Sequence, residues 1–367
     1  MNDEYYMRRA IELAKKGAGF VSPNPMVGAV IVKDGRIIAE GYHEKYGELH
    51  AERNALKNCS EDPKGASIYV TLEPCCHYGK TPPCTEAIIE SGIKKVVVGT
   101  LDVNPIVAGK GVQILKEHGI EVIVGVLEDE VVKLNRIFNK YITTKLPYVV
   151  MKYAMTSDGK IATRTGASRW ISCDESRRKV HEIRSRLTAI MVGVGTVKAD
   201  DPLLTCRLDK EHKNPIRIIC DTKLTTPLDA QVVVDAVNNK TIIATCVSDE
   251  EKIKQYENLG CMGLQLPEKG GVVDLQELMK SLGAMGIDSI LLEGGATLNY
   301  SALKEKIVDE IQIFMAPKIF GGHAKTPVEG EGIDIPDNAI QLVTGSITKV
   351  GQDILIENEV VYQCSQE

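Results

Sequence analysis

The first 145 residues alternate amphipathic segments with short apolar runs. Apolar residues recur at helical spacing between Met7 and Ala14, which predicts a helix that ends at the glycines following it. The apolar run 27–32, the pair Asp34-Gly35 and the returning segment 36–41 predict a β-hairpin. The other predicted elements of this half are helices at 50–58, 84–91, 111–117 and 129–140 and strands at 67–72, 96–100 and 121–126. Strands that alternate with helices indicate an α/β sheet covered on both faces.

The tripeptide Lys145-Leu146-Pro147 marks the predicted boundary between two domains. Its proline ends the preceding helix, and an apolar segment, 148–153, follows at once. Further predicted elements are strands at 189–194, 216–220, 241–246, 289–292 and 310–316, helices at 174–186, 248–258 and 274–283, and paired strands within 341–363. We therefore expect two α/β domains, residues 1–145 and 146–367.

Composition narrows the class of protein. A chain of 367 residues is longer than one typical domain. Its contents of 43% apolar and 26% charged residues are ordinary for a soluble globular enzyme. The net charge of -6 and the 5% aromatic content disfavour a nucleic-acid partner. The chain has no apolar run of about 18 residues and starts without a signal-peptide pattern. We therefore expect a cytoplasmic protein whose ten cysteines are free thiols or metal ligands.

Metal-binding residue types lie at the ends of three predicted elements. His50-Ala51-Glu52 opens a helix, Pro74-Cys75 ends a strand, and Cys84 opens the next helix. One imidazole and two thiolates give a catalytic zinc ion three protein ligands, with the fourth position left for water, whose pKa zinc lowers to about 7. Glu52 is placed to carry a proton between this water and a leaving amine, as in zinc-dependent deaminases.

The spacing of the two cysteines leaves alternatives open. Deaminases of this type usually carry P-C-x-x-C, whereas here Cys76 and His77 lie between Cys75 and Cys84 as rival ligands. Cys84 is favoured because the start of a helix stabilises a thiolate. The alternative is a structural zinc site, which needs a fourth protein ligand that Cys76 or His77 would supply.

The second half carries weaker patterns. Gly193-Val194-Gly195 follows a predicted strand, but Lys198 stands where a dinucleotide fingerprint has its third glycine, so we do not expect a Rossmann domain. Glu293-Gly294-Gly295 also joins a strand to a helix, and backbone N–H groups at such a helix start can bind phosphate.

The N-terminal motifs resemble the bifunctional deaminase/reductase of bacterial riboflavin biosynthesis. The resemblance rests on His50-Ala51-Glu52, on Asn24-Pro25-x-Val27-Gly28 and on segment 71–84, T-L-E-P-C-C-H-Y-G-K-T-P-P-C, whose cysteine spacing matches that family. It implies a cytidine-deaminase-like fold, in which helices sandwich a mixed sheet, with one zinc ion per deaminase domain. The implied reaction is hydrolytic deamination of 2,5-diamino-6-ribosylamino-4(3H)-pyrimidinone 5′-phosphate. The implied substrate contacts are Asn24, His43, His77 and Lys80.

The resemblance covers essentially the whole chain. Residues 152–162, the segment 193–207 and Glu293-Gly294-Gly295 are similar to the reductase half of the family. That half implies a dihydrofolate-reductase-like α/β fold and reduction of the ribosyl group to a ribityl chain by NADPH. The implied cofactor contacts are Ala154, Trp170, Thr196, Asp200, Gly295, Ala296, Thr297, Leu298, Asn299, Tyr300 and Ser301. The implied substrate contacts are Lys152, Ser168, Arg184, Leu204, Arg207 and Glu293. Arginines suit a phosphate, although the basic helix around Arg184 is also typical of a solvated face.

Three alternatives remain open at this point. A nucleic-acid deaminase with an accessory domain would need a basic, aromatic-rich surface. A non-catalytic zinc scaffold would bind the metal without needing Glu52. A deaminase whose second domain reduces another substrate would depart from the family at Asp200, Arg207 or Glu293, all of which match it here. The family implies a homo-oligomer that acts on a small molecule and binds neither nucleic acid nor membrane.

Overall fold

The computed structural model describes residues 2–78, 82–104, 107–209 and 211–362. The chain forms two compact units, Met1–Lys145 and Leu146–Glu367. Within the described residues, no helix is both long and apolar enough to cross a membrane.

The first unit contains a five-stranded mixed sheet. Its strands are β1 (Gly28–Lys33), β2 (Arg36–Tyr42), β3 (Ser67–Leu72), β4 (Lys95–Thr100) and β5 (Glu121–Val124). In the order β2-β1-β3-β4-β5, β1 is antiparallel to both of its neighbours, and the pairs β3–β4 and β4–β5 are parallel. The segments that follow β3 and β4 therefore leave the sheet at the same edge, where ligands bind in open α/β sheets.

Helices cover both faces of this sheet. They are α1 (Asp3–Ala14), α2 (Ala51–Lys57), α3 (Cys84–Glu90), α4 (Lys110–Glu117), α5 (Glu128–Leu134) and α6 (Arg136–Thr144). Because strand residues alternate between faces, Val96 and Val98 pack with α2, α3 and α4, whereas Val97 packs with α1 and α5. The result is two apolar cores, one on each side of the sheet.

The prediction of one continuous helix at 129–140 is wrong, because the helix breaks at Asn135. The buried Asn135 side chain pairs with the backbone of Met26: its Oδ1 accepts from the Met26 N–H at 2.8 Å, and its Nδ2 donates to the Met26 carbonyl at 3.0 Å. The residue has a non-helical ψ of 21°, and α6 begins immediately after it. A contact across 109 residues thus determines where the helix breaks.

The second unit contains a nine-stranded sheet. Its strands are β6 (Tyr148–Thr156), β7 (Ala189–Gly193), β8 (Ile216–Cys220), β9 (Thr241–Thr245), β10 (Met262–Gln265), β13 (Ser289–Leu292), β14 (Glu310–Ala316), β15 (Gln341–Val350) and β16 (Asp353–Val361), and β11 (Glu268–Lys269) and β12 (Val272–Val273) form a separate ribbon. In the order β10-β9-β8-β7-β13-β6-β14-β16-β15, only the last two pairs are antiparallel. The predicted paired strands within 341–363 are β15 and β16.

The helices of the second unit again cover two faces. They are α7 (Asp174–Arg186), α8 (Val194–Asp200), α9 (Gln231–Val234), α10 (Glu250–Glu257), α11 (Leu275–Ala284) and α12 (Ala296–Lys304). Met191 and Ile218 pack with α11 and α12, whereas Ile190 and Ile219 pack with α9 and α10. The sequence patterns miss α8, α9 and the strands from β10 to β12, which are too short to show a clear period.

Candidate active sites

The predicted metal ligands converge at the edge of the first sheet. His50 is the N-cap residue of α2, Cys75 follows β3, and Cys84 is the first residue of α3. The Nδ1 atom of His50 lies 3.4 Å from the Sγ of Cys75 and 3.5 Å from the Sγ of Cys84. All three ligand atoms lie within 4.8 Å of one another, and this group contains neither Cys76 nor His77. One nitrogen and two sulfur donors in this arrangement match a catalytic zinc site.

The two cysteines differ in burial: Cys84 is fully buried, whereas Cys75 is partly exposed. Hydrogen bonds from the Cys84 thiol, from His50 and from the Cys84 amide lower the pKa of Cys75 to about 4. The Cys84 amide donates to the Cys75 Sγ at 3.3 Å. Cys75 is therefore a ready thiolate ligand at neutral pH.

Glu52 lies in the first turn of α2 with only 3% of its surface exposed. Burial raises the pKa of Glu52 to about 7, so the group can both accept and donate a proton near neutral pH. Together with His50 and Cys75, Glu52 lines a cavity of about 330 Å³.

Three of the four predicted substrate contacts of the first unit, Asn24, His43 and His77, line the same cavity. Lys80, the fourth, lies outside the described residues. The sequence patterns did not point to several other residues of the wall: Glu73, Asp102, Asn104, Val107, Phe138, Tyr141 and Ile142. These residues share only their position in the chain, since each follows a strand end or lies on α6. Their residue types give no pattern from which a common site could be predicted.

His43 is deeply buried, and both of its ring nitrogens have protein partners. Its Nδ1 lies 3.0 Å from the Leu49 carbonyl, and its Nε2 lies 3.2 Å from the Asn24 Nδ2. A proton on Nδ1 satisfies the carbonyl and leaves Nε2 to accept from Asn24. His43 therefore orients the Asn24 amide in the cavity wall.

The second unit has a larger cavity, of about 760 Å³. Most of the predicted contacts line it: Lys152, Ala154, Ser168, Thr196, Asp200, Glu293, Gly295, Ala296, Thr297, Leu298, Asn299 and Ser301. The two glycine-rich turns, 193–195 and 293–295, lie in the same wall. Gly295 is the N-cap of α12 and has no side chain to cap the helix, so backbone N–H groups at this helix start are available to a phosphate.

The other predicted contacts of this unit lie elsewhere. Leu204 is a buried residue of the core, and Arg207 is exposed. Trp170 is 61% exposed, and the Arg177 guanidinium lies 4.4 Å from its ring centroid. The Tyr300 ring packs directly against Gly330, in the space that a side chain at position 330 would need. None of these four predicted residues belongs to the cavity wall as the described residues form it.

Arg184 lies behind the cavity wall in a buried ion-pair cluster. Its Nε and Nη2 donate to the Glu293 carboxylate at 2.7 and 3.1 Å, and the Lys152 Nζ donates to the same carboxylate at 3.0 Å. Burial alone would raise the pKa of Glu293, but Arg184 and Lys152 hold it well below its usual range. The basic pattern around Arg184 is typical of a solvated helix face, but the Arg184 side chain is only 13% exposed.

His181 lies beside this cluster and was not predicted from the sequence. Its Nδ1 is buried without a hydrogen-bond partner in the described part of the chain. Burial, followed by the charges of Arg184 and Arg207, lowers the pKa of His181 to about 4, so the imidazole is neutral at physiological pH.

Comparison with known proteins identifies both units. Residues 1–100 match the cytidine and deoxycytidylate deaminase zinc-binding region, and residues 147–356 match the RibD C-terminal domain. The riboflavin biosynthesis protein RibD of Actinobacillus pleuropneumoniae is 53% identical over 98% of this chain and 96% of its own. The chain belongs to the RibD family. The RibD of Escherichia coli is 38% identical over 97% of this chain and 99% of its own.

Solved structures of RibD family members agree with this result. A diaminohydroxyphosphoribosylaminopyrimidine deaminase/5-amino-6-(5-phosphoribosylamino)uracil reductase from Thermotoga maritima is similar with a TM-score of 0.87 and 43% identity, covering 98% of this chain and 99% of that one. The RibD of Acinetobacter baumannii gives a TM-score of 0.86 at 37% identity over the same shares of the two chains. The family resemblance and the predicted fold class, a deaminase-like and a reductase-like α/β unit, are thereby confirmed.

Proposed function

We propose that this chain is a bifunctional enzyme of riboflavin biosynthesis. Residues 1–145 hydrolytically deaminate 2,5-diamino-6-ribosylamino-4(3H)-pyrimidinone 5′-phosphate, and residues 146–367 reduce the ribosyl group of the product to a ribityl chain. The observation that carries the proposal is the convergence of His50, Cys75 and Cys84 beside buried Glu52 in one cavity. The match of the second unit to the RibD C-terminal domain supports the reductase half.

A zinc ion fits the first unit, with one ion per deaminase domain. Tetrahedral coordination by nitrogen and sulfur at normal bond lengths separates these donors by about 3.5 Å. The His50 Nδ1 lies 3.4 and 3.5 Å from the two sulfur atoms. When bound there, zinc supplies Lewis-acid activation of water at neutral pH.

Glu52 moves the protons of this hydrolysis. Its carboxylate accepts a proton as water attacks the ring carbon that bears the 2-amino group, and returns it to that nitrogen, which leaves as ammonia. Burial keeps the group close to the reacting atoms and away from bulk water. Asn24, held by His43, and His77 bind the substrate from the facing wall, and Lys80 completes the proposed contacts.

NADPH fits the second cavity. The α12 start offers uncapped backbone N–H groups, and the volume of about 760 Å³ is within the range of cofactor sites. When bound, NADPH supplies the reducing equivalents. Ala154, Thr196, Asp200 and residues 295–299 and 301 would hold it.

The ribosyl phosphate is proposed to occupy the part of this cavity near Lys152, Ser168 and Glu293. The Arg184–Glu293–Lys152 cluster fixes the Glu293 carboxylate and the Lys152 ammonium in place. Arg207, which follows α8 and is exposed, is the further proposed substrate contact and is suited to the phosphate.

The proposal includes a cytoplasmic homo-oligomer. The nine described cysteines are all free thiols. Strand β15 is the outer strand of its sheet and exposes apolar side chains such as Val343 and Ile347, at 55% and 66%. Edge strands of this kind are usually covered, and a second copy of the chain is the occupant proposed here.

A coupled assay tests both activities. Zinc-loaded protein is incubated with the diaminopyrimidinone ribosyl phosphate while ammonia is measured, and NADPH is then added while its absorbance is followed. We expect ammonia release followed by NADPH oxidation. Absence of ammonia would contradict the deaminase, and would call for trials of single-stranded nucleic acid and nucleosides. Ammonia without NADPH oxidation would contradict the reductase alone.

Replacing His43 with Phe should raise the KM for the pyrimidine about tenfold, because the Asn24 amide loses the partner that orients it. Phe retains an aromatic ring but removes both hydrogen bonds. Asn24→Ala should give a similar change, and the double variant should be no worse than the more damaged single one, since the two residues act in series. Steady-state kinetics of the three variants test this. Losses that add in the double variant would show that His43 acts independently of Asn24.

A further inference from the structure

Glu73 is a buried carboxylate in the wall of the deaminase cavity, and the proposed reaction assigns no role to it. It directly follows β3 and precedes Pro74-Cys75, so it is two residues from a proposed zinc ligand. Only 3% of its surface is exposed. A carboxylate removed from water in this way needs compensating donors to remain there.

Three backbone N–H groups provide that compensation. The Oε2 of Glu73 accepts from the amides of Gly109 at 2.8 Å and Asp102 at 3.2 Å, and its Oε1 accepts from the Val112 amide at 3.1 Å. The carboxylate therefore acts through hydrogen bonds to the backbone of a segment 29–39 residues away in sequence.

These contacts reach Asp102 on one side and residues 109 and 112 at the start of α4 on the other. Gly109 is the N-cap of α4, and with no side chain it cannot cap the helix itself. Glu73 supplies the missing acceptors to Gly109 and to Val112 in the first turn. The fit is close: a Cβ on Gly111 would lie 2.2 Å from the Pro74 carbonyl oxygen. The segment is thus joined to the strand end that carries Cys75.

The beginning of this segment forms part of the deaminase cavity. Asp102 and Asn104 both line it, and the Asn104 amide donates to the Asp102 Oδ1 at 2.8 Å. We propose that Glu73 is a positioning residue, which holds Asp102 and Asn104 against the deaminase cavity and thereby sets the affinity for the pyrimidine substrate. This inference rests on the proposed deaminase function.

Glu73→Gln tests the inference, because the amide keeps the size of the side chain and places an N–H group against backbone N–H donors. We expect the KM for the pyrimidine to rise about tenfold with kcat within about twofold of the wild type. Zinc content and reductase activity should be unchanged. Hydrogen exchange, followed by mass spectrometry, should accelerate in peptides that cover 101–112. Glu117→Gln, at the far end of α4, is the matched control and should behave as wild type.

Three outcomes would overturn the inference: loss of zinc from folded Glu73→Gln, a fall in kcat at constant KM, or unchanged exchange in 101–112. If Glu73→Gln does not fold, Glu73→Asp, which shortens the reach by one methylene, is measured in the same way. The wild type alone provides a further check, since fast exchange of the Gly109 and Val112 amides would contradict the hydrogen bonds. Hydrogen exchange reports on the positioning role of Glu73 even if the wild type releases no ammonia. Failure of the proposed deaminase function can therefore be distinguished from failure of this inference.

Discussion

Glu52→Gln is expected to lower the rate of ammonia release by a factor of roughly 10² to 10⁴, the usual contribution of general acid–base catalysis. Gln has nearly the same shape as Glu but can neither accept nor return a proton at neutral pH. Because Glu52 is not among the three donors that surround the metal position, zinc content should stay the same. Ammonia release and metal analysis on the same sample measure the two effects separately.

The second unit provides an internal control for this experiment. NADPH oxidation with the deaminated pyrimidine as substrate should be unaffected in Glu52→Gln. Glu61→Gln, a partly exposed residue paired with Arg36, should leave both activities unchanged. A Glu52→Gln protein that retains zinc and deaminates at the wild-type rate would refute the proton-transfer role.

Glu293→Gln is expected to destabilise the second unit by about 3–5 kcal/mol and to reduce reductase kcat/KM roughly a hundredfold. Removal of the carboxylate charge leaves Arg184 and Lys152 buried with no anion between them. Trp170 is the only tryptophan in the chain, so urea unfolding followed by its fluorescence reports on the second unit alone. Deamination by the first unit should persist.

The effect of Glu293 on stability should depend on pH. Its pKa is held well below its usual range in the folded protein, so its contribution is fully present above the unfolded value of about 4.3 and declines as the pH falls below it. The stability difference between wild type and Glu293→Gln should therefore shrink in acid. Glu250→Gln, which removes an exposed i,i+4 pair, should change stability by less than about 0.5 kcal/mol at any pH. An equal effect of the two substitutions would show that the buried cluster contributes nothing.

Local signals were sufficient to predict the three potential metal donors that the structure brings together. His50, Cys75 and Cys84 lie at element ends, and three donors of these types in this order are uncommon without a metal. The same reasoning could not find Glu73 or Asp102, because their roles depend on contacts between segments about 30 residues apart. A carboxylate that binds backbone amides leaves no pattern in the sequence around it.

The fold was likewise predicted where the signal is local and missed where it depends on contacts distant in sequence. Strands with long apolar runs, such as β3 and β4, agree closely with the predicted ranges. The break between α5 and α6 was missed because 129–140 has a good helical pattern, and the cause is the distant backbone of Met26. In the second unit, Arg184 was indistinguishable by pattern from a solvated arginine, since its partner Glu293 lies 109 residues further along the chain.

The match to the deaminase zinc-binding region ends at residue 100, yet the wall of the first cavity continues beyond it. Asp102, Asn104, Val107 and three residues of α6 complete that wall, and the Asn135–Met26 pairing joins the start of α6 to the segment next to Asn24. Part of the wall around the proposed substrate position is therefore encoded outside the stretch that carries the metal donors. The cavity wall can therefore vary in 101–145 without any change in the three donors that surround the metal position.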